Sequence, residues 1–253
     1  MTNILNQLIA LSRNLGRPEN EYAILGEGNT SARVDDQTFW VKASGTHLGT
    51  LDESGLVQVY FEPVLAMLSG PDLGDAEIRE RLIAAKVDAA APGHPSVETA
   101  FHAACLHLPD VSFVGHTHPT VINMLTCAVG FEEAFGRPLF PDEIVVCGPR
   151  PLLVPYVDPG LPLAREIQQR LYQFIDQYGE RPRRILLQNH GFIALAPTAQ
   201  QVENITAMAV KAARILHGSY AAGGPNFMSD EAISRIHTRP DEHYRQKVIG
   251  RLP

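Results

Sequence analysis

Residues 111–119 read VSFVGHTHP and place two histidines, His116 and His118, at the end of an apolar run. In a β-strand, side chains at positions i and i+2 point to the same face, so this spacing would project two imidazoles side by side. Gly115 would let another backbone or a ligand approach closely. Pro119 suits the first turn of a following helix. Two imidazoles at a strand end could hold a transition metal such as Zn²⁺, but by themselves they are more typical of a polar strand end.

Two further segments contain residue types that suit the same kind of site. Residues 96–99, SVET, open a predicted amphipathic helix with Ser96 as N-cap. Glu98 then falls in the first turn, where the helix dipole favours an ionised carboxylate. Residues 189–191, NHG, join two apolar runs, and Gly191 can adopt a positive φ. Three histidines and one carboxylate are the composition of a catalytic zinc site.

Two short glycine-containing loops near the N-terminus predict an anion site. Residues 26–31 read GEGNTS, which has glycines at dinucleotide-binding spacing. A predicted strand follows instead of a helix, and this excludes a Rossmann interpretation. Residues 42–46, KASGT, form the second loop. Backbone N–H groups and hydroxyls in such loops suit a phosphate, although the first loop by itself is equally typical of a hairpin turn.

Composition excludes several classes of protein. The chain has 253 residues and a net charge of −7 without a basic block, which argues against a nucleic-acid surface. No apolar run approaches the roughly 18 residues of a membrane span, and the first residues lack a signal-peptide pattern. Three cysteines in apolar surroundings, Cys105, Cys127 and Cys147, are typical of a reduced, cytoplasmic protein.

The alternation of apolar patterns predicts an α/β/α sandwich with a mixed sheet. One predicted strand carries His116 and His118 and stops at Pro119. We predict further strands at 22–25, 32–34, 38–41, 56–61, 144–147, 152–156, 185–188 and 192–196. Residues 131–142 are predicted to be irregular. We interpret His102, one helical turn after Glu98, as a helix-surface or core histidine and not as a ligand. We predict a single domain over 1–253, with a less regular tail from about residue 223.

Five motifs occur in a fixed order that resembles the class II aldolase/adducin family. They are GNTS at 28–31, KASG at 42–45, SVE at 96–98, HTHP at 116–119 and NHG at 189–191. The family includes fuculose and rhamnulose phosphate aldolases and ribulose phosphate 4-epimerase, and the resemblance runs from about Leu5 to His217. It implies a three-layer α/β/α sandwich with a mixed, largely antiparallel central sheet.

The resemblance also implies roles for individual residues. His116, His118 and His190 would be the ligands of Zn²⁺, with Mn²⁺ or Co²⁺ as alternatives. Glu98 would be the catalytic acid/base and could bind the metal in the resting state. The residues that would bind substrate, mainly through its phosphate, are Gly28, Asn29, Ser44, Gly45 and Ser96. The family's second phosphate segment often reads SSE, and here Val97 could offer only its N–H.

The implied activity is that of an aldolase that reversibly cleaves a ketose phosphate or related sugar through a zinc-stabilised enediolate. Epimerisation, dehydration, or decarboxylation of a 3-oxo acid phosphate at the same site are alternatives, as is an adducin-like binding module without catalysis. The implied partners are a small sugar or sugar phosphate and other copies of the chain in a homotetramer, with no nucleic acid or membrane. A neighbouring subunit often contributes a tyrosine, for which Tyr156, Tyr220 and Tyr244 are candidates.

Overall fold

A seven-stranded mixed sheet runs through the centre of the computed structural model, which describes residues 4–241, 244 and 248. Its strands are β1 Asn29–Arg33, β2 Thr38–Lys42, β3 Leu56–Tyr60, β4 Phe113–Thr117, β5 Leu152–Val154, β6 Arg184–Leu187 and β7 Gly191–Ala196. Their order across the sheet is β3-β2-β1-β4-β7-β6-β5. All neighbours are antiparallel except β5 and β6, which are parallel. The mixed, largely antiparallel sheet is therefore confirmed.

Helices cover both faces of this sheet. They are α1 Ile4–Leu15, α2 Phe61–Ser69, α3 Asp75–Ala84, α4 Thr99–Leu106, α5 Thr120–Thr126, α6 Phe131–Phe135, α7 Pro141–Cys147, α8 Leu161–Tyr178, α9 Ala199–Ala221 and α10 Asp230–Thr238. One apolar cluster joins the sheet to α2, α3, α4 and α8, and a second joins its other face to α1, α5, α6, α7 and α9. Alternate residues of β7 enter alternate clusters, as the period of two requires. The three-layer α/β/α sandwich is confirmed.

The central strand β4 fixes which way the histidine segment faces. A Cβ atom at Gly115 would lie 2.6 Å from the Val202 side chain and 3.0 Å from that of Leu15. Because Gly115 has no side chain, α1 and α9 can pack closely against this face of β4. The glycine does not make room for a ligand here. His116 points to the opposite face, where Phe101 of α4 packs edge-on against its ring.

Three predicted segments differ from the structure. Residues 22–25 are a loop, not a strand, and Leu25 has a φ of 54°. Residues 144–147 are the end of helix α7, and the stretch predicted to be irregular contains α6 and the start of α7. Pro141 in the first turn, with acidic residues beside it, is a helix start signal. That signal prevails over the strand preference of the β-branched residues that follow.

The C-terminal part of the described chain consists of helix α9 and the short helix α10. The Thr198 hydroxyl caps α9 by accepting a hydrogen bond from the N–H of Gln201 at 3.2 Å. Helix α10, Asp230–Thr238, lies within the tail that was predicted to be less regular from about residue 223. In the described part of the chain, no helix combines the length and apolar character needed to cross a membrane.

Candidate metal centre and active site

Three histidines from two distant segments of the sequence converge at one end of the sheet. The nitrogen atoms that His116, His118 and His190 offer all lie within 4.8 Å of one another. The Nε2 atoms of His116 and His118 are 3.0 Å apart. His116 is fully buried, and the other two are partly buried. The structure thus brings together all three residues that the sequence predicted as metal ligands.

Each histidine is held by a different part of the sheet. His116 lies in β4, opposite Asn29 of β1 and Ile193 of β7. His118 follows the end of β4, where its N–H donates to the carbonyl oxygen of Tyr22 at 2.8 Å. His190 lies in the turn between β6 and β7, and its carbonyl oxygen accepts a hydrogen bond from the Asn123 amide at 3.1 Å.

The glycine after His190 has a role other than the one predicted for it. The positive φ in this turn belongs to Asn189, at 55°, and not to Gly191. A Cβ atom at Gly191 would lie 2.7 Å from Cδ2 of His118 and 2.8 Å from the carbonyl oxygen of Thr117. Gly191 is therefore required for space, because any side chain here would displace a histidine of the cluster.

The donor set fits a transition metal. Nδ1 of His116 lies 3.0 Å from the carbonyl oxygen of Phe192. Because a carbonyl only accepts, Nδ1 carries the proton and Nε2 presents a lone pair to the cluster, as is usual for a metal-binding histidine. Burial lowers the pKa of His116 to about 4 and that of His118 to about 3, so both are neutral near pH 7. Imidazole ligands suit zinc and cobalt better than manganese.

Glu98 faces this cluster. Its Oε1 lies 3.3 Å from Nε2 of His190 and 3.7 Å from Nε2 of His116. Its Oε2 accepts a hydrogen bond from the Asn29 side-chain amide at 2.6 Å. Burial alone would raise the pKa of Glu98, but His116, His190 and Asn29 together hold it well below its usual range. The carboxylate is therefore ionised beside the histidines.

The helix that follows Glu98 begins two residues later than predicted. Helix α4 begins at Thr99, so Glu98 occupies the N-cap position and not the first turn. Ser96 lies before the helix, and its Oγ accepts a hydrogen bond from the N–H of Glu98 at 3.2 Å. A turn across 96–99, closed by the Ser96 carbonyl and the Thr99 N–H, leads into the helix. Glu98 therefore does not occupy the first-turn position on which the predicted helix-dipole effect depended.

Asn29 lies in the interior, between Glu98 and His102. Its amide nitrogen donates to Glu98, and its Oδ1 is hydrogen-bonded to Nε2 of His102. Asn29 is only 4% exposed, whereas the sequence predicted a contact with substrate. His102 is fully buried. Of the two predicted positions, helix surface or core, it therefore occupies the core.

The two glycine loops lie before β1 and after β2, beside this centre. Gly28 has a φ of 67°, and a Cβ atom there would lie 2.6 Å from the His116 carbonyl oxygen, so this loop runs tightly along β4. Ser44 and Gly45 are exposed, and the Ser44 N–H donates to the carbonyl oxygen of His94 at 2.9 Å. Residue 43 also forms a bridge with residue 95. The second loop is therefore adjacent to the segment that leads to Ser96 and Glu98.

A buried cation that was not predicted as a site residue connects the loops. Lys42 is 3% exposed, and its ammonium group donates to the carbonyl oxygen of Gly26 at 3.4 Å. Burial lowers the pKa of Lys42, and the charge of Glu98 partly offsets this effect. The motif KASG contained the lysine, but only the fold shows that its charge is close enough to act on the site.

Comparison with known proteins places these features in context. Residues 6–217 match the Class II Aldolase and Adducin N-terminal domain. A 3-oxo-tetronate 4-phosphate decarboxylase of Pectobacterium atrosepticum is 27% identical over 172 residues, which is 67% of this chain and 64% of the relative. The chain thus aligns with less than two thirds of that relative's length.

Two solved structures share the fold. The N-terminal class II aldolase domain of a Thermoplasma acidophilum protein has a TM-score of 0.66 and 25% identity, covering 85% of this chain and 94% of that one. An L-fuculose 1-phosphate aldolase has a TM-score of 0.68 and 20% identity, covering 97% of each chain. At that identity, the second similarity supports the fold alone.

Proposed function

The chain belongs to the class II aldolase and adducin family, and from this we propose that it is a metal-dependent lyase. Its substrate is a small, phosphorylated, sugar-derived molecule, and the bond that breaks is a carbon–carbon bond next to a carbonyl group. The observation that carries this proposal is the position of Glu98, whose Oε1 lies 3.3 Å from Nε2 of His190 at the three-histidine cluster. An ionised carboxylate beside a metal-binding cluster is suited to moving a proton to or from a substrate carbon.

The histidines and Glu98 divide the chemistry between them. His116, His118 and His190 would hold Zn²⁺, which when bound polarises a carbonyl and stabilises the negative charge left by bond cleavage. Glu98 exchanges a proton with the substrate through Oε1, while Oε2 stays hydrogen-bonded to Asn29. We also propose that Glu98 binds Zn²⁺ in the resting state, when substrate is absent.

The substrate phosphate is assigned to the loops beside the metal centre. Ser44 and Gly45 are exposed next to Ser96, and Gly28 lies along β4. Hydroxyl and backbone N–H donors of this kind suit an oxyanion, and the buried charge of Lys42 adds a favourable field. The side chain of Asn29 is engaged with Glu98 and His102, so in this proposal it acts on substrate through Glu98.

Two reactions satisfy this description. In aldol cleavage of a ketose phosphate, a hydroxyl loses its proton, an aldehyde leaves, and the remaining carbon is protonated. In decarboxylation of a 3-oxo acid phosphate, carbon dioxide leaves the ionised carboxyl group, and the remaining carbon takes up a proton that comes from solvent. The similarity to a 3-oxo-tetronate 4-phosphate decarboxylase favours the second reaction, and the family name favours the first. A non-catalytic binding module is the weaker alternative, because all three histidines and Glu98 are present.

A substrate panel tests the proposal. Zinc-loaded protein is incubated with ketose phosphates, free ketoses and 3-oxo acid phosphates, and the release of aldehyde and of carbon dioxide is measured separately. We expect one phosphorylated class to react and its unphosphorylated analogue to react poorly. Binding of these compounds without any turnover would contradict the lyase and support the binding module.

We also propose that the chain assembles as a homotetramer in which a neighbouring copy completes the site with a tyrosine. Tyr156, Tyr220 and Tyr244 are all at least half exposed and therefore accessible to a second copy. Light scattering at micromolar concentration tests this assembly, and a monomeric mass would contradict it. If the tetramer forms, loss of turnover in one Tyr→Phe variant with an unchanged mass identifies the residue.

A further inference from the structure

His102 is a buried polar residue whose role remains unassigned in the proposed chemistry. It is fully buried in α4, one turn after Glu98, and Phe101 stacks on its ring with centroids 4.6 Å apart. Both ring nitrogens have partners. Nδ1 lies 2.7 Å from the Ser31 hydroxyl, and Nε2 is hydrogen-bonded to Oδ1 of Asn29. Asn29 in turn donates to Oε2 of Glu98.

Elementary hydrogen-bonding rules fix the direction of this chain of contacts. An ionised carboxylate only accepts, so Asn29 must turn its NH₂ group to Glu98 and its oxygen to His102. That oxygen only accepts, so Nε2 of His102 must carry a proton. Burial lowers the pKa of His102 to about 3, and the ring is therefore neutral. Nδ1 then has a lone pair, and the Ser31 hydroxyl donates to it.

We propose that His102 is a positioning residue for Glu98. Its Nε2–H holds the Asn29 amide in the orientation that binds Oε2, and this leaves Oε1 as the oxygen that faces the histidine cluster and moves the proton. The inference rests on the proposed function, in which Glu98 is the group that transfers the proton. It adds a residue, outside the metal and substrate contacts, that selects which carboxylate oxygen of Glu98 acts.

The proposal predicts a specific pattern among variants. In His102→Leu, the Asn29 oxygen has no donor, so the amide can rotate and Glu98 loses its fixed partner. The three metal-binding histidines are untouched, so metal content should not change. In His102→Gln, the side-chain amide can place an N–H near the position of Nε2 and restore the donor. Loss of such supporting contacts usually costs about 10-fold to 100-fold in activity.

The first test uses the wild-type protein without metal and therefore does not depend on activity or on a folded variant. Nitrogen-15 NMR of the imidazoles distinguishes a ring protonated at Nε2 from one protonated at Nδ1. We expect His102 to be neutral with its proton on Nε2 between pH 6 and pH 8. A proton on Nδ1 would reverse the hydrogen bonds deduced above and overturn the inference.

The second test measures solvent deuterium exchange into a reactive ligand of the panel, with zinc content measured in the same samples. We expect kcat to fall about 10-fold or more in His102→Leu, with KM and zinc content close to wild type, and His102→Gln to recover most of the rate. Equal rates in His102→Leu and wild type would overturn the positioning role. If wild type exchanges with no ligand, the proposed function fails, and the tautomer measurement still decides the direction of the hydrogen bonds.

Discussion

His190 and Glu98 come from opposite halves of the sequence, and their Nε2 and Oε1 atoms face each other at 3.3 Å. His190 lies in the turn between β6 and β7, and Glu98 occupies the N-cap of α4. The contact exists because β4 lies between β1 and β7 in the sheet, while α4 packs across the same face. The residue that we propose as base and one that we propose as metal ligand therefore lie side by side, and the following predictions start from this arrangement.

Metal binding should depend on the histidine cluster. We expect wild-type protein purified without chelator to contain one zinc ion per chain, and His116→Ala/His118→Ala to contain little, because two of three imidazole ligands are removed. Elemental analysis of dialysed protein measures this. His47→Ala, an exposed histidine outside the cluster, serves as the control and should keep its metal. Equal metal content in all three proteins would assign the ion to another place.

Gly191→Ala should weaken metal binding. The added Cβ would lie 2.7 Å from Cδ2 of His118 and 3.3 Å from Cε1 of His116, so both rings must move. We expect zinc affinity to fall by about 10-fold or more, as measured by competition with a chromophoric chelator. At Gly74, a Cβ atom meets nothing within 4 Å, so Gly74→Ala should bind zinc like wild type. An unchanged affinity in Gly191→Ala would contradict the proposed steric role.

Ser44→Ala should weaken the binding of phosphorylated ligands specifically. Ser44 is exposed beside the segment that carries Ser96 and Glu98, where its hydroxyl can donate to a phosphate oxygen. A hydrogen bond to a charged group contributes roughly 1.5–3 kcal/mol, so KM should rise by about 10-fold or more while kcat changes little. Ser69→Ala, an exposed serine at the end of α2, is the matched control. An equal change in KM for phosphorylated and unphosphorylated ligands would remove Ser44 from the phosphate site.

A buried ion pair away from the metal centre should govern stability. Glu143 and Arg184 are 5% and 4% exposed and form an ion pair at 2.8 Å. Glu143→Ala leaves a buried guanidinium without its carboxylate, a change that costs about 3–5 kcal/mol of unfolding free energy. The control, Glu77→Ala, breaks an exposed pair with Arg81 and should cost less than about 1 kcal/mol. Similar urea midpoints for both variants would show that the buried pair contributes little.

The strands and the His116/His118 pair could be predicted because both follow from local patterns, whereas the place of His190 in the cluster was implied by the resemblance to the family. The alternation of apolar residues predicted most strands, and the two-residue spacing of His116 and His118 placed both rings at one strand end. The prediction failed at residues 144–147, where β-branched residues suggested a strand. Pro141 and the acidic residues after it start a helix there, and a short apolar run by itself does not distinguish the two.

The support around Glu98 could not be predicted because it depends on packing between distant elements. Asn29 was expected to face substrate, but the pairing of β1 with β4 and the position of α4 turn its amide toward Glu98 and His102. In the sequence, His102 was recognisable only by its position one turn after Glu98. That spacing indicates a shared helix face, but it does not reveal which group lies opposite.

The central claim is that Glu98 transfers the proton, and Glu98→Gln tests it most directly. Glutamine keeps the size of the side chain and can still hydrogen-bond, but it cannot take up a proton. Solvent deuterium exchange into the carbanion-forming ligand, which is the fragment whose carbon is protonated after cleavage, reports this step without requiring carbon–carbon cleavage. We expect wild type to exchange and Glu98→Gln to bind zinc and ligand yet exchange at least about 100-fold more slowly. Equal exchange rates in the two proteins would contradict the role of Glu98.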